Sequence, residues 1–154
     1  MECSNQIGVS TNSHFKDFFD CHYSEKYKKK VLLVRYCFFV KQQNYEDLLN
    51  YCFRVVDENK TSDLKNEFIF YIDLSGVKMK QVDMNLIKGL IKELEDRYPD
   101  LSEKIFIANI PAFFKVCYSI IKGLIHKDTR KKIFFEKKKK NSSSEYTNDI
   151  DDII

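Results

Sequence analysis

The period of apolar positions changes several times along the chain, and each change marks an element. The run Val31-Leu32-Leu33-Val34-Arg35-Tyr36-Cys37-Phe38-Phe39-Val40 is β-branched and aromatic with almost no alternation. A run of that kind predicts a strand buried on both faces, as in parallel sheets. Behind Asn44, a residue suited to an N-cap, Tyr45, Leu48, Leu49, Cys52, Val55 and Val56 recur at helical spacing to about Glu58. Asn59 to Asn66 is polar and reads as a loop. Phe68 to Leu74 is a second buried strand, closed by Ser75-Gly76.

Asp83 is placed to cap the next helix. Its apolar face is Leu86, Ile87, Leu90, Ile91, Leu94 and Tyr98, and Pro99 stops it. Ile105 to Ile110 is a third strand and Lys132 to Glu136 a fourth, with a helix between them over 112–125. That helix carries more apolar surface than one core needs. Phe113, Val116, Cys117, Ile120, Ile121 and Leu124 form one stripe, and Phe114, Tyr118 and Ile125 widen it. Successive helical residues point about 100° apart, so Phe113 and Phe114 cannot share one facing surface. The pattern fits either a deeply buried crossover helix or a helix with a cavity on one side and a membrane or partner on the other.

The predicted order is β-α-β-α-β-α-β, an α/β layer fold with a largely parallel sheet of about four strands and helical crossovers. Residues 1–30 are polar and broken, with a short Phe15-Lys16-Asp17-Phe18-Phe19 patch, and read as an extension with room for one short helix. Residues 137–154 read as a disordered tail, first Lys-rich and then acidic.

A length of 154 residues suits one domain. There is no apolar run of ~18 residues to cross a membrane, and no secretory leader opens the chain. Five cysteines, none in a C-x-x-C pair, fit buried thiols in a reducing compartment. The net charge of +3 does not mark a nucleic-acid binder, but its placement is uneven. Lys127 to Lys140 holds eight basic residues against two acids, and the last ten residues hold four acids and no base.

Enzyme motifs are missing: no Gly-rich phosphate loop, no nucleophile elbow and no zinc-ligand spacing among His14, His22 and His126. Asp73 closes a strand, where it reads as a loop-capping carboxylate. Neither catalysis, a cofactor nor a metal site is expected.

Five short pieces occur in order: Asp73-Leu74-Ser75-Gly76, Tyr98-Pro99-Asp100, Asn109-Ile110-Pro111, Lys122-Gly123-Leu124 and Lys132-Ile133. Together they resemble the CRAL-TRIO lipid-binding domain, the family of yeast-type phosphatidylinositol transfer proteins and of tocopherol and retinal carriers. The likeness is best over about 68–135, and the domain is expected to span 31–136.

The resemblance implies a lipid cavity between a sheet floor and a movable gate helix, here 112–125. Phe68, Phe70, Phe113, Phe114, Val116, Cys117, Ile120, Ile121 and Leu124 are the implied cavity and gate residues. It also implies a headgroup site at Asp100, Thr129 and Lys132, where a carboxylate would accept hydroxyl donors and lysine would face phosphate. Lys137, Lys138, Lys139 and Lys140 would face an anionic membrane. The expected function is binding, and transfer between membranes, of a phosphoinositide or neutral lipid by a cytoplasmic, peripherally membrane-associated protein, with no nucleic-acid partner.

Two departures from the family pattern shape an alternative. Only about 30 residues precede Val31, where the family has a helical lobe supplying a further headgroup cation, and the family's last strand is missing. A minimal domain of this kind is expected to need a protein partner to complete it, or to serve as a protein-interaction module without lipid.

Overall fold

The computed structural model describes residues 12–38, 44–61, 64–137 and 145–153. It is an α/β domain built on one sheet. In chain order the elements are α1 (Asn12–Phe18), β1 (Phe19–Ser24), β2 (Lys29–Arg35), α2 (Tyr45–Asn59), β3 (Phe68–Asp73), α3 (Met84–Arg97), β4 (Ser102–Ala108), α4 (Phe114–Ile121), α5 (Lys127–Arg130), β5 (Ile133–Lys137) and β6 (Glu145–Thr147).

Strands β2 to β5 are parallel and adjacent in sequence order, with β1 and β6 antiparallel at the two edges. Crossovers between parallel strands share one hand, so a sheet that always steps the same way collects its helices on one face. The packing agrees. Leu48, Cys52 and Val56 of α2 and Leu86 of α3 share a cluster with Leu32 and Phe68, and Tyr118 of α4 packs with Ile107, Ile133 and Phe135. Val31, Ile69 and Phe106 point to the other face, where Tyr27, Tyr71, Phe134 and Tyr146 cover them in place of a helix.

The helices begin where the pattern predicts. Asn44 Oδ1 accepts from the amides of Glu46 and Asp47 at 2.9 and 3.3 Å, and Asp83 Oδ1 accepts from Leu86 N–H at 3.2 Å. A cap of this type contributes about 1 kcal/mol. The end of α3 is pinned by Tyr98, whose hydroxyl donates to Asp57 Oδ1 at 2.7 Å.

Among the described residues, six strands replace the four expected. Residues 19–24, expected within a polar extension, form β1, and α1 locks it down with Phe15 and Phe18, both buried. Tyr51 Oη donates to the Phe19 carbonyl at 2.9 Å. At the other end, 145–147 of the expected disordered tail pair with β5, and Ile153 is buried against Ile107 and Ile110. The strand expected over Val31 to Val40 stops at Arg35 and turns into a 3-10 segment, Tyr36–Phe38. Tyr36 causes the turn-in: it is buried, its hydroxyl donates to the Gln81 carbonyl at 3.2 Å and accepts from Asp83 N–H at 3.5 Å. Phe39 and Val40 lie outside the described residues. β4 starts three residues earlier than expected, across a register shift in which Phe68 pairs with the buried Ser102 and Ile69 with Lys104.

Candidate functional site

A cavity of about 290 Å³ opens between the sheet and its helices. Val34, Phe70, Ile72, Ile105 and Ile107 form the floor, and Ile87, Leu90, Ile91 and Leu94 of α3 form one wall. Phe114, Cys117, Tyr118 and Ile121 of α4 form the other, with Phe113 beside them. A space lined this way holds apolar matter and little else.

The wall on α4 is selective. Phe114 stacks on Tyr118 with ring centroids 5.7 Å apart and meets Phe135 edge-on at 5.9 Å. The helix expected over 112–125 ends at Ile121 and passes into a 3-10 turn, Lys122–Leu124; Val116 and Ile120 on its opposite line and Leu124 in that turn are 61, 50 and 40% exposed and do not touch the cavity. Phe68 is not on the cavity wall either, because it is fully buried in the cluster with Leu48, Cys52 and Val56 of α2. Of the residues expected at the cavity and gate, the structure thus brings Phe70, Phe113, Phe114, Cys117 and Ile121 together and leaves these four apart.

The charged side chains of the lining, Glu95, Asp100 and Lys132, belong to one end, at the amino edge of the parallel strands. Asp100, Thr129 and Lys132 meet there, although Asp100 and Lys132 come from separate loops. Lys132 Nζ donates to Asn66 Oδ1 at 2.7 Å and stands 3.9 Å from Asp100 Oδ1. Thr129 Oγ1 does not point to either. It donates to Glu95 Oε2 at 3.2 Å, and His126 Nδ1 holds the same oxygen at 2.9 Å. Glu95 therefore joins the polar end as a largely buried carboxylate on α3, tied to the segment that follows α4.

Three participants were not singled out by pattern. Glu95 carried a readable signal, since it continues the line Ile87, Ile91 at intervals of four on an apolar helix face. Asn66 and His126 carried none, because their contacts come from distant segments.

The opposite, carboxyl edge of the sheet is occupied structurally. Asp73 Oδ1 accepts from Ser75 N–H and from Asn109 Nδ2, both at 2.9 Å, and Asn109 N–H donates to Glu136 Oε1 at 2.9 Å. Partial burial works against the Asp73 carboxylate, but the Asn109 amide, the Ser75 contacts and the Arg35 charge hold it below its ordinary range. Asp73 thus ties the end of β3 to the residue after β4, as a loop cap does, and Asn109 carries the link on to β5. Among the described residues no cluster of His, Cys, Asp and Glu is arranged for a metal, and no helix is long and apolar enough to cross a membrane. Lys137 ends β5, and Lys138, Lys139 and Lys140 lie outside the described residues.

Comparison with known proteins places this geometry. The CRAL/TRIO domain profile matches residues 14–153. Tyrosine-protein phosphatase non-receptor type 9 of Homo sapiens and of Mus musculus is 30% identical over 80 residues, which is 52% of this chain and 13% of the phosphatase. The chain therefore spans only a small part of these curated relatives. The crystal structure of Sfh5 superposes with a TM-score of 0.68 at 23% identity, over 86% of this chain and 51% of that one, and shows the same fold. From a single sheet with its helices on one face, an apolar cavity between them and a profile match across nearly the whole chain, it follows that the protein belongs to the CRAL/TRIO family of lipid-binding domains.

Proposed function

We propose that the domain takes up a single phospholipid, with an acyl chain in the cavity and the headgroup at Asp100, Thr129 and Lys132, and carries it between membranes. The observation that supports this reading is the segregation of the cavity: a largely apolar interior with its charged groups gathered at one end. Each methylene buried there contributes about 0.8 kcal/mol, so chain burial supplies the affinity and the polar end the selection.

Glu95 modifies the role given to Thr129. With its proton donated to Glu95, the Thr129 hydroxyl faces a ligand as an acceptor. Asp100 likewise accepts, and Lys132 is the donor. An inositol-type headgroup, with hydroxyls and a phosphate, matches that set.

The membrane contact in this reading is peripheral. The exposed line Val116, Ile120 and Leu124 enters the interface, and Lys137 to Lys140 add attraction to anionic lipid of about 1 kcal/mol per basic residue near the surface. The place of action is the cytoplasmic face of a membrane, and the work is carriage without bond-making chemistry.

Native mass spectrometry of the purified full chain tests the reading. A phospholipid-sized adduct that survives gentle ionisation is expected. Folded protein that is consistently empty, and stays empty after incubation with mixed vesicles, would replace the carrier with a protein-interaction module.

A further inference from the structure

The loop between α2 and β3 brings a lysine to the polar end of the cavity that is not part of its lining. Lys65 Nζ lies 4.0 Å from Asp100 Oδ2, while Lys132 Nζ lies 3.9 Å from Asp100 Oδ1. One carboxylate therefore has an ammonium beside each oxygen, Lys132 from the cavity wall and Lys65 from outside it. Both separations are well beyond the ~2.8 Å of a charge-assisted hydrogen bond, so Asp100 satisfies neither cation. Lys132 uses one of its three N–H groups on Asn66 Oδ1. Lys65 is 78% exposed and has no closer polar contact among the described residues.

Main-chain contacts fasten the residue that follows Lys65. The adjoining Asn66 N–H donates to the Asp100 carbonyl at 2.7 Å, and both residues sit in the left-handed region, at φ 56° and 60°. Lys29 Nζ donates to the Asn66 carbonyl at 2.9 Å and pairs with Glu103 at 3.0 Å. At Asn66 the chain before β3 is thus fastened both to the turn before β4 and to Lys29 of β2.

We infer that Lys65 and Lys132 together clasp the phosphate of an anionic phospholipid whose chain occupies the cavity. The inference rests on the cavity being a lipid site, as proposed above. A phosphodiester offers only acceptors, and the two ammoniums flank the Asp100 carboxylate at distances that leave them N–H groups for such acceptors. Asp100 moderates their mutual repulsion and accepts from headgroup hydroxyls.

The test is lipid extraction by the full chain from phosphatidylcholine vesicles carrying phosphatidylinositol or, separately, diacylglycerol. Lys65→Gln is expected to lower phosphatidylinositol extraction roughly 3- to 10-fold, less than Lys132→Ala, because an exposed cation is more strongly screened. Diacylglycerol extraction and melting temperature stay at wild-type values, and Lys65→Arg restores most of the loss. Undiminished phosphatidylinositol extraction by Lys65→Gln, with Lys132→Ala impaired, overturns the inference and leaves the lipid site standing. Wild-type protein that extracts neither lipid removes both. Inorganic phosphate titrated into lipid-free protein separates the two sources of the anion. Saturable binding lost in Lys65→Gln, with lipid extraction unchanged, assigns the pair to free phosphate and overturns the lipid form.

Discussion

Replacing Val116, Ile120 and Leu124 together by glutamine is expected to detach the domain from membranes while leaving it folded. The three residues stand at intervals of four on one line of the helix and its 3-10 continuation, 61, 50 and 40% exposed. Full burial of a Val, Ile or Leu side chain contributes about 1.5–3 kcal/mol. Scaled by the exposed fraction, each gives about 1 kcal/mol on entering a bilayer interface, and the three about 3 kcal/mol. At 1.4 kcal/mol per factor of ten, that is roughly a 100-fold loss of vesicle affinity. The cost to folding is small, because exposed substitutions usually stay within about 0.5 kcal/mol and glutamine is a good helix former. Co-sedimentation with vesicles of phosphatidylcholine and an anionic lipid reads the first quantity, and thermal melting the second. Unaltered sedimentation would refute the membrane role of this line. A fall in melting temperature of the size seen for core substitutions would refute its outward placement.

Phe114→Asp, on the inner line of the same helix, should act in the opposite way: it removes the contacts with Tyr118 and Phe135 and puts a charge among them, costing about 3–5 kcal/mol in urea unfolding. A variant as stable as the wild type would show that α4 is not seated on Phe135. Stability should also fall in alkali. Burial, with the Asp57 hydrogen bond and charge behind it, pushes the Tyr98 hydroxyl from 10.0 up to about 12. The folded state therefore holds that proton more tightly than the unfolded chain, and the stabilisation is complete below pH 10 and lost as pH rises toward 12. Urea midpoints measured across that range should decline, and less steeply in Tyr98→Phe; a flat profile in the wild type would contradict the burial.

The elements most legible in the chain were those whose pattern is complete in itself. β3 is covered on both faces, so its apolar run is continuous, and α2 and α3 carry both a helical stripe and a capping side chain. The edge strands β1 and β6 escaped for the converse reason. An edge strand gains its hydrogen bonds from one neighbour and buries one face, so Phe19 and Cys21 alternate with Asp20 and His22 and the segment reads as polar. The helices could be assigned to one side of the sheet only once the strand order was known.

The same distinction runs through the site. Excess apolar surface on 112–125 is a property of that segment, visible in its residues. Which line faces inward depends on where Phe135 and Ile107 stand, and these belong to strands formed elsewhere in the chain. Asp100, Thr129 and Lys132 were named from short motifs alone, yet their meeting at one cavity end comes from the parallel register of β3, β4 and β5. Asn66, Lys65 and Glu95 joined them with little or no local signal. Periodicity, caps and turn residues are local and survive in a linear string. The side a residue faces, and the partner across from it, are relations between segments, and they come into being only when the sheet brings those segments together.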